Sequence, residues 1–296
     1  MIGVDGVITV DKPQGWTSHD VVNKLRRIAG TKKVGHLGTL DPMATGVLPM
    51  IVGRATRLAQ FFTRNEKVYE GTIRFGFATD SYDADGSPSS EPKAFDFDQA
   101  QLEAWLNRFR GPFEQTPPPI SAKKIGGKKA YDLARANIVV ELKPVPITIF
   151  ELALLSFENA EARVRIHCTA GTYVRSIAHD LGQLAGCGAH LSSLSRTASG
   201  DFTLDGAHTL EELAELATEG RLAEALVPAA KLLPDFPAEM VDDLTAGRIR
   251  QGRDFHVSPF RVRPGVKYVK AISHEGHLVA IGEAVLPNIY HPVLVL

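Results

Sequence analysis

Apolar residues recur along this chain in two periods, and the switches between them mark out its elements. The run Val7 to Val10 predicts a strand, and Thr17 or Ser18 is placed to cap a helix carrying Val21, Val22, Leu25 and Ile28 on one face. Gly30 is placed to end that helix. Val47 to Val52 is continuously apolar and Lys67 to Phe77 alternates through Tyr69, Gly71, Ile73 and Phe75, so both read as strands. Asp98 caps a predicted helix through Leu102, Leu106 and Phe109, with Gly111 behind it. Pro146 to Phe157 and Ala162 to Cys168 read as paired strands, and Thr172 to Ala185 as a helix stopped by Gly186. Two short acidic helices are expected between Leu210 and Leu233. A proline-bracketed linker, Leu233 to Pro237, then sets a domain boundary, giving 1–234 and 235–296. Beyond it the pattern predicts a short helix from Pro237 to Ala246 and apolar runs at Lys267 to Ile272 and Leu278 to Ala284. The whole reads as α+β: a central, largely antiparallel sheet with flanking helices, followed by a small β domain.

Composition narrows the class. With 296 residues and 44% hydrophobic content the chain can bury a large core in about two domains. No apolar run approaches the roughly 18 residues of a membrane span and the N-terminus lacks a signal-peptide layout, so a soluble, cytoplasmic protein is expected. Cys168 and Cys187 are too few for a disulfide framework and lack metal-ligand spacing, which points to buried reduced thiols. The formal net charge of −1 conceals blocks. Lys12 to Arg74 holds eleven basic residues and four acids, Asp201 to Asp243 two against eleven, and Arg248 to Lys270 seven against one. These are either ordinary solvated faces or basic surfaces that neutralise phosphates.

The segment Gly35-His36-Leu37-Gly38-Thr39-Leu40-Asp41-Pro42-Met43-Ala44-Thr45-Gly46-Val47-Leu48-Pro49 surrounds one carboxylate with glycines, prolines and a histidine. Proline after Asp41 biases it toward extended backbone, and Gly35, Gly38 and Gly46 permit close approach to a ligand. By itself this reads first as an Asp-Pro turn leading into a buried strand. The segment, however, resembles the signature GHxGTLDPxATGVLP of the TruB family of tRNA pseudouridine synthases at every fixed position. Three further blocks resemble the same family: Gly6 to Val22, with its Lys12-Pro13 turn; Thr116 to Lys124 with Gly127 to Arg135; and Cys168 to Gly182, containing Gly171-Thr172-Tyr173-Val174-Arg175. Together they span most of residues 6 to 202 in the family's order.

The resemblance implies a pseudouridine synthase sheet followed by a PUA-like β barrel, a tRNA-clasping insertion at about residues 114–140, and no cofactor or metal. It implies Asp41 as the catalytic residue, Arg175 as its ion-pair partner, and Tyr69 as an active-site ring able to stack on the base and set its hydroxyl near C5. His36 corresponds to the histidine that fills the gap left when the target base is flipped out. Tyr173 and Leu194 match pocket-lining positions that would otherwise be unremarkable in a core, and Lys123, Lys124, Lys128 and Lys129 are candidate phosphate contacts. Asp83 sits in a turn that can support the site, Lys12 reads as architectural, and the His274 and His277 pair beside Glu275 reads as surface. In the C-terminal unit Arg248, Arg250, Arg253, Arg261 and Arg263 are candidate RNA contacts.

The expected reaction is conversion of uridine to pseudouridine at the T-loop position conventionally numbered 55. The expected substrate is the tRNA T-arm, bound by a monomer without guide RNA or membrane. A noncatalytic RNA-binding or RNA-folding protein using the same surface is the alternative of a different class. A hydrolase on paired carboxylates is disfavoured, because no second acid is placed beside Asp41 as such chemistry requires. Whether Asp41 attacks C1′, attacks C6 or removes the 2′ proton is not fixed by sequence.

Overall fold

In the computed structural model the residues described are 5–119, 124–125, 128–129, 143–263 and 265–296. Most of the expected clasp, including Lys123, lies outside them, and so do the side chains of Lys124, Lys128 and Lys129. The backbones of those three belong to a short antiparallel ladder, with Lys124 opposite Lys129.

The strands, in chain order, are β1 (Gly6–Lys12), β2 (Val34–His36), β3 (Thr45–Val52), β4 (Lys67–Phe75), β5 (Gly111–Gln115), β6 (Lys124–Ile125), β7 (Lys128–Lys129), β8 (Val145–Glu158), β9 (Glu161–Cys168), β10 (Ala189–Ser199), β11 (Phe202–Thr203) and β12 (Leu226–Pro228). All but β6 and β7 join one sheet, whose main path runs β12-β1-β3-β10-β4-β9-β8-β5. Its pairs are antiparallel except β3 with β10, where Ser195 faces Thr45 and Arg196 faces Gly46. That parallel contact requires Gly46: it has φ +94°, and a Cβ there would lie 2.4 Å from the Arg196 carbonyl oxygen.

Central position explains the alternation of β4. Lys67, Tyr69, Gly71, Ile73 and Phe75 are buried, while the residues between them are less so. Three helices terminate as their sequences imply. Ser18–Ile28 begins with a capping box between Thr17 and Asp20, Gln99–Asn107 with one between Asp98 and Gln101, and Val174–Ala185 ends at Gly186, φ +71°. Their apolar residues Val21, Leu25, Leu102, Leu106, Ile177 and Leu181 enter one core with Ile73, Val164 and Leu191 of the sheet. The helix Val174–Ala185 starts two residues later than its pattern suggests, because Tyr173 is its extended N-cap.

Two expectations needed correction. Between Leu210 and Leu233 only Leu210–Thr218 is α-helical; short 3₁₀ turns follow, and β12 joins the sheet edge beside β1. The predicted helix Pro237 to Ala246 is instead a strand, β13 (Ala238–Val241), followed by a helix at Asp243–Arg250 capped by Asp242. Parallel pairing of Ala238–Val241 with a strand some 30 residues downstream overrides local helical spacing.

The second sheet comprises β13, β14 (Phe255–His256), β15 (Tyr268–Ser273), β16 (Leu278–Leu286) and β17 (Ile289–Val295), in the order β13-β15-β16-β17-β14. It shares a hydrophobic cluster with the first: Ile272, Leu278, Ile281 and Leu294 pack with Val7, Ile51, Leu58 and Phe62. The 3₁₀ segment Gly53–Phe62 lies at this junction, with the Phe61 ring edge-on to Phe236 and Tyr268 at centroid distances of 5.5 and 5.4 Å.

Candidate active site

Asp41 lies within the loop between β2 and β3, and Arg175 in the first turn of the helix Val174–Ala185. Although 134 residues apart, they form a fork: Arg175 Nη2 donates to Asp41 Oδ1 at 3.2 Å and Nε lies 2.9 Å from Oδ2. Arg175 Nη1 also donates to the Ser81 carbonyl at 3.0 Å and lies 3.2 Å from Asp83 Oδ2. The Arg175 side chain is only 5% exposed, whereas Asp41 retains 35% exposure toward the cleft. Asp83, read in sequence as a turn residue able to support the site, is thus the second carboxylate on the same guanidinium. It serves Arg175, and no direct bond between Asp83 and Asp41 forms part of the arrangement.

Burial raises the Asp41 carboxyl above the ordinary aspartate range; Arg175 opposes that shift, Asp83 reinforces it and Lys12 also opposes it. Asp41 is therefore a comparatively basic carboxylate held in one orientation.

A cleft of about 620 Å³ opens over this carboxylate. Its lining includes His36, Tyr69, Tyr173, Arg175 and Leu194, so five of the sequence-derived candidates meet around Asp41. Tyr69 projects from β4 and is 8% exposed. Burial raises its hydroxyl pKa, partly opposed by Arg196, so the phenol remains protonated at neutral pH. His36 is held neutral by burial and by nearby Arg196 and His19, and its Nδ1 is buried with no hydrogen-bond partner among the described residues. Tyr173 is held by its backbone: its N–H donates to Gln115 Oε1 at 2.8 Å and its carbonyl accepts from Gln115 Nε2 at 3.0 Å.

Gln115 was not singled out by sequence, and neither were Lys67 and Arg196. Arg196 is 1% exposed and ties down the loop around Asp41, donating through Nε to the Val47 carbonyl at 2.8 Å and through Nη2 to the Gly38 carbonyl at 3.0 Å. Lys67 also lines the cleft; it donates to Ser199 Oγ at 2.7 Å, and burial lowers its pKa to about 8. Lys12 is architectural, as expected. Its ammonium donates to the carbonyls of Pro13, Trp16 and Pro42, which anchors the residue after Asp41. The arrangement offers one oriented carboxylate, an aromatic ring with a protonated hydroxyl and a neutral imidazole around a cleft roomy enough to admit a nucleoside. His277 lies 3.7 Å from Glu275 on the exposed surface, away from this site.

Residues 26–174 match the sequence profile of the TruB family pseudouridylate synthase N-terminal domain, and residues 175–234 that of the tRNA pseudouridylate synthase B C-terminal domain. The tRNA pseudouridine synthase B of Solibacter usitatus is 62% identical over 99% of this chain and 100% of its own length. That of Bacillus subtilis is 43% identical over 84% of this chain and 82% of its own. Among solved structures, the Cbf5-Nop10-Gar1 complex contains a chain with TM-score 0.72 and 27% identity, covering 96% of this chain and 79% of that one. An H/ACA RNP bound to a substrate RNA containing 2′-deoxyuridine gives TM-score 0.70 at 26% identity, covering 95% and 78%. The shared fold extends through the C-terminal sheet, which is PUA-like. The extent of these matches, taken with the buried fork that holds Asp41, shows that this chain belongs to the TruB family of pseudouridylate synthases.

Proposed function

We infer that this family member, an isomerase that converts uridine to pseudouridine in tRNA, acts at the T-loop uridine conventionally numbered 55. It engages the T-arm as a monomer and without guide RNA. The C1′–N1 bond of the target nucleoside breaks, the uracil turns, and C5 joins C1′. The C5 proton leaves and N1 regains one, so the reaction is proton-neutral and redox-neutral.

The observation that carries this reading is the fork. A single cleft carboxylate, Asp41, is presented by a buried guanidinium in one orientation, as attack on the nucleoside or removal of a sugar proton demands. Tyr69 provides the stacking face for the released uracil. His36 occupies the place of the flipped base, a role supported by its unpaired buried Nδ1 at the cleft wall. Tyr173 and Leu194 bound the base pocket, and Lys123, Lys124, Lys128 and Lys129 contact phosphates of the T-arm. Residues 1–234 act as the catalytic unit and 235–296 as the RNA-binding unit.

Incubation of the purified chain with an isolated T-arm stem-loop, with no other RNA present, tests this function. Pseudouridine is expected at the T-loop position alone. Unmodified uridine despite tight binding would mean a noncatalytic binder, and a requirement for added RNA would mean guided recognition.

A further inference from the structure

Arg175 is oriented by the turn 80–86 as well as by Asp41. Ser81 supplies its carbonyl and Asp83 its carboxylate, and Ser81 Oγ donates to Asp83 Oδ1 at 2.5 Å. Between those two residues stands Tyr82, with φ +67°. A non-glycine residue in this region costs on the order of 1 kcal/mol or more and persists only when its surroundings hold it.

What holds it is visible. The Tyr82 ring stacks on the imidazole of His179 with centroids 3.7 Å apart and planes 12° from parallel. His179 lies one turn beyond Arg175 on the same helix. Its Nδ1 is buried without a hydrogen-bond partner among the described residues, and its ring face meets Tyr82. The Tyr82 backbone is fixed from the other side, its carbonyl accepting from Leu191 N–H of β10 at 3.0 Å. Neither Tyr82 nor His179 borders the cleft.

We propose that the Tyr82–His179 stack is a positioning device: it clamps the turn 80–86 to the Arg175 helix and so sets the angle at which Arg175 presents Asp41 to the substrate. Tyr82 and His179 are positioning residues and touch neither substrate nor the reacting carboxylate. Without the stack, no ring contact ties the turn to the Arg175 helix at Tyr82, and the Ser81 and Asp83 contacts can shift away from Arg175. A displacement of about 1 Å at a reacting group costs up to about 10²-fold in rate.

The inference rests on the assignment of Asp41 as the reacting carboxylate, and the test separates the two. Tyr82→Gly removes the ring while tolerating φ +67°, so the fold is preserved; Tyr82→Phe keeps the ring. His179→Ala and His179→Phe form the matching pair. The readouts are single-turnover pseudouridine formation and equilibrium binding on the T-arm stem-loop, with thermal melts as a fold control. Tyr82→Gly and His179→Ala are expected to slow the single-turnover rate about 10- to 100-fold with binding unchanged. Both ring-preserving variants are expected to stay near the parental rate. Parental rates in Tyr82→Gly and His179→Ala would overturn the proposal, as would a Tyr82→Phe enzyme as slow as Tyr82→Gly. Loss of binding in proportion to rate would also overturn it, by reducing the stack to general stability. Full activity of Asp41→Asn would instead overturn the assignment beneath it.

Discussion

The catalytic cleft and the C-terminal sheet are both rich in cations, and they use them in opposite ways. Around the cleft, Lys12, Arg175 and Arg196 are buried and hydrogen-bonded to backbone carbonyls, and Arg175 also to carboxylate. In the C-terminal unit Arg248, Arg250, Arg253, Arg261 and Arg263 are exposed, and Arg261 comes only within 3.8 Å of Glu239. Buried cations with several partners fix geometry, so their loss is felt as rate and fold. Exposed cations contribute screened, roughly additive attraction to phosphate, felt as salt-dependent affinity. The same residue type therefore carries different meaning in the two regions.

The largest effect expected on the cleft side comes from Asp41→Asn. An amide has neither the nucleophilicity nor the basicity of the carboxylate, so no pseudouridine should be detected, while T-arm binding persists on contacts elsewhere. Filter binding beside nucleoside analysis checks both halves. Robust turnover would remove Asp41 from the chemistry.

Tyr69→Phe is expected to follow. Because its phenol stays protonated at neutral pH, Tyr69 in the proposed function is a stacking face and a hydrogen-bonding or relay group toward the C5 proton. Deleting the hydroxyl should cost about 10²-fold in single-turnover rate, the lower end for a lost acid–base group, with binding nearly unchanged. A near-parental rate would restrict Tyr69 to stacking and send the C5 proton to water or to Asp41.

Arg175→Lys keeps the charge and removes the fork. The rate at neutral pH should drop by up to about 10²-fold through lost orientation. The pH profile carries the sharper signal. Asp41 must be ionised to act and its folded pKa is raised, so activity is lost as pH falls through a value above the ordinary ~3.9. In Arg175→Lys the guanidinium's opposing pull weakens, and this acid limb should move to still higher pH. A limb that stays in place would mean that Arg175 does not set the ionisation of Asp41.

How much of this was legible in sequence also differs between the regions. In residues 1–234 the long strands, helix caps and the Gly186 stop follow local rules and the loop around Asp41 carries its own signature, whereas the second helix expected before Leu233 gives way to 3₁₀ turns and the edge strand β12, whose pairing with β1 is nonlocal. Arg196 and Gln115 were missed because they act on backbone atoms brought near only by the parallel β3–β10 contact and by the packing of β5 against the Tyr173 turn. A buried cation on a carbonyl leaves no spacing to recognise. In the C-terminal unit Ala238–Val241 was misread because its strand state depends on a nonlocal partner, Lys270–Ser273.

The smallest effect expected, and the one that probes the other half of the comparison, is Arg248→Ala with Arg250→Ala. Both side chains are exposed near the end of the helix Asp243–Arg250, so the fold should lose only a few tenths of a kcal/mol in helix-terminus electrostatics. If both contact phosphate, the slope of log K against log salt for tRNA should become shallower by roughly 0.7 to 0.9 per lost contact. The single-turnover rate at saturating RNA should not change. Substitution is preferable to removing residues 235–296, because Ile272, Leu278, Ile281 and Leu294 share a core with Ile51, Leu58 and Phe62. Cutting there would expose apolar surface beside the Gly53–Phe62 segment, which itself lines the cleft through Ala59, Gln60 and Phe62. An unchanged salt slope would make these arginines a solvated face and leave RNA recognition to the catalytic unit. A fall in saturated rate would show instead that the C-terminal sheet reaches the chemistry through the shared core.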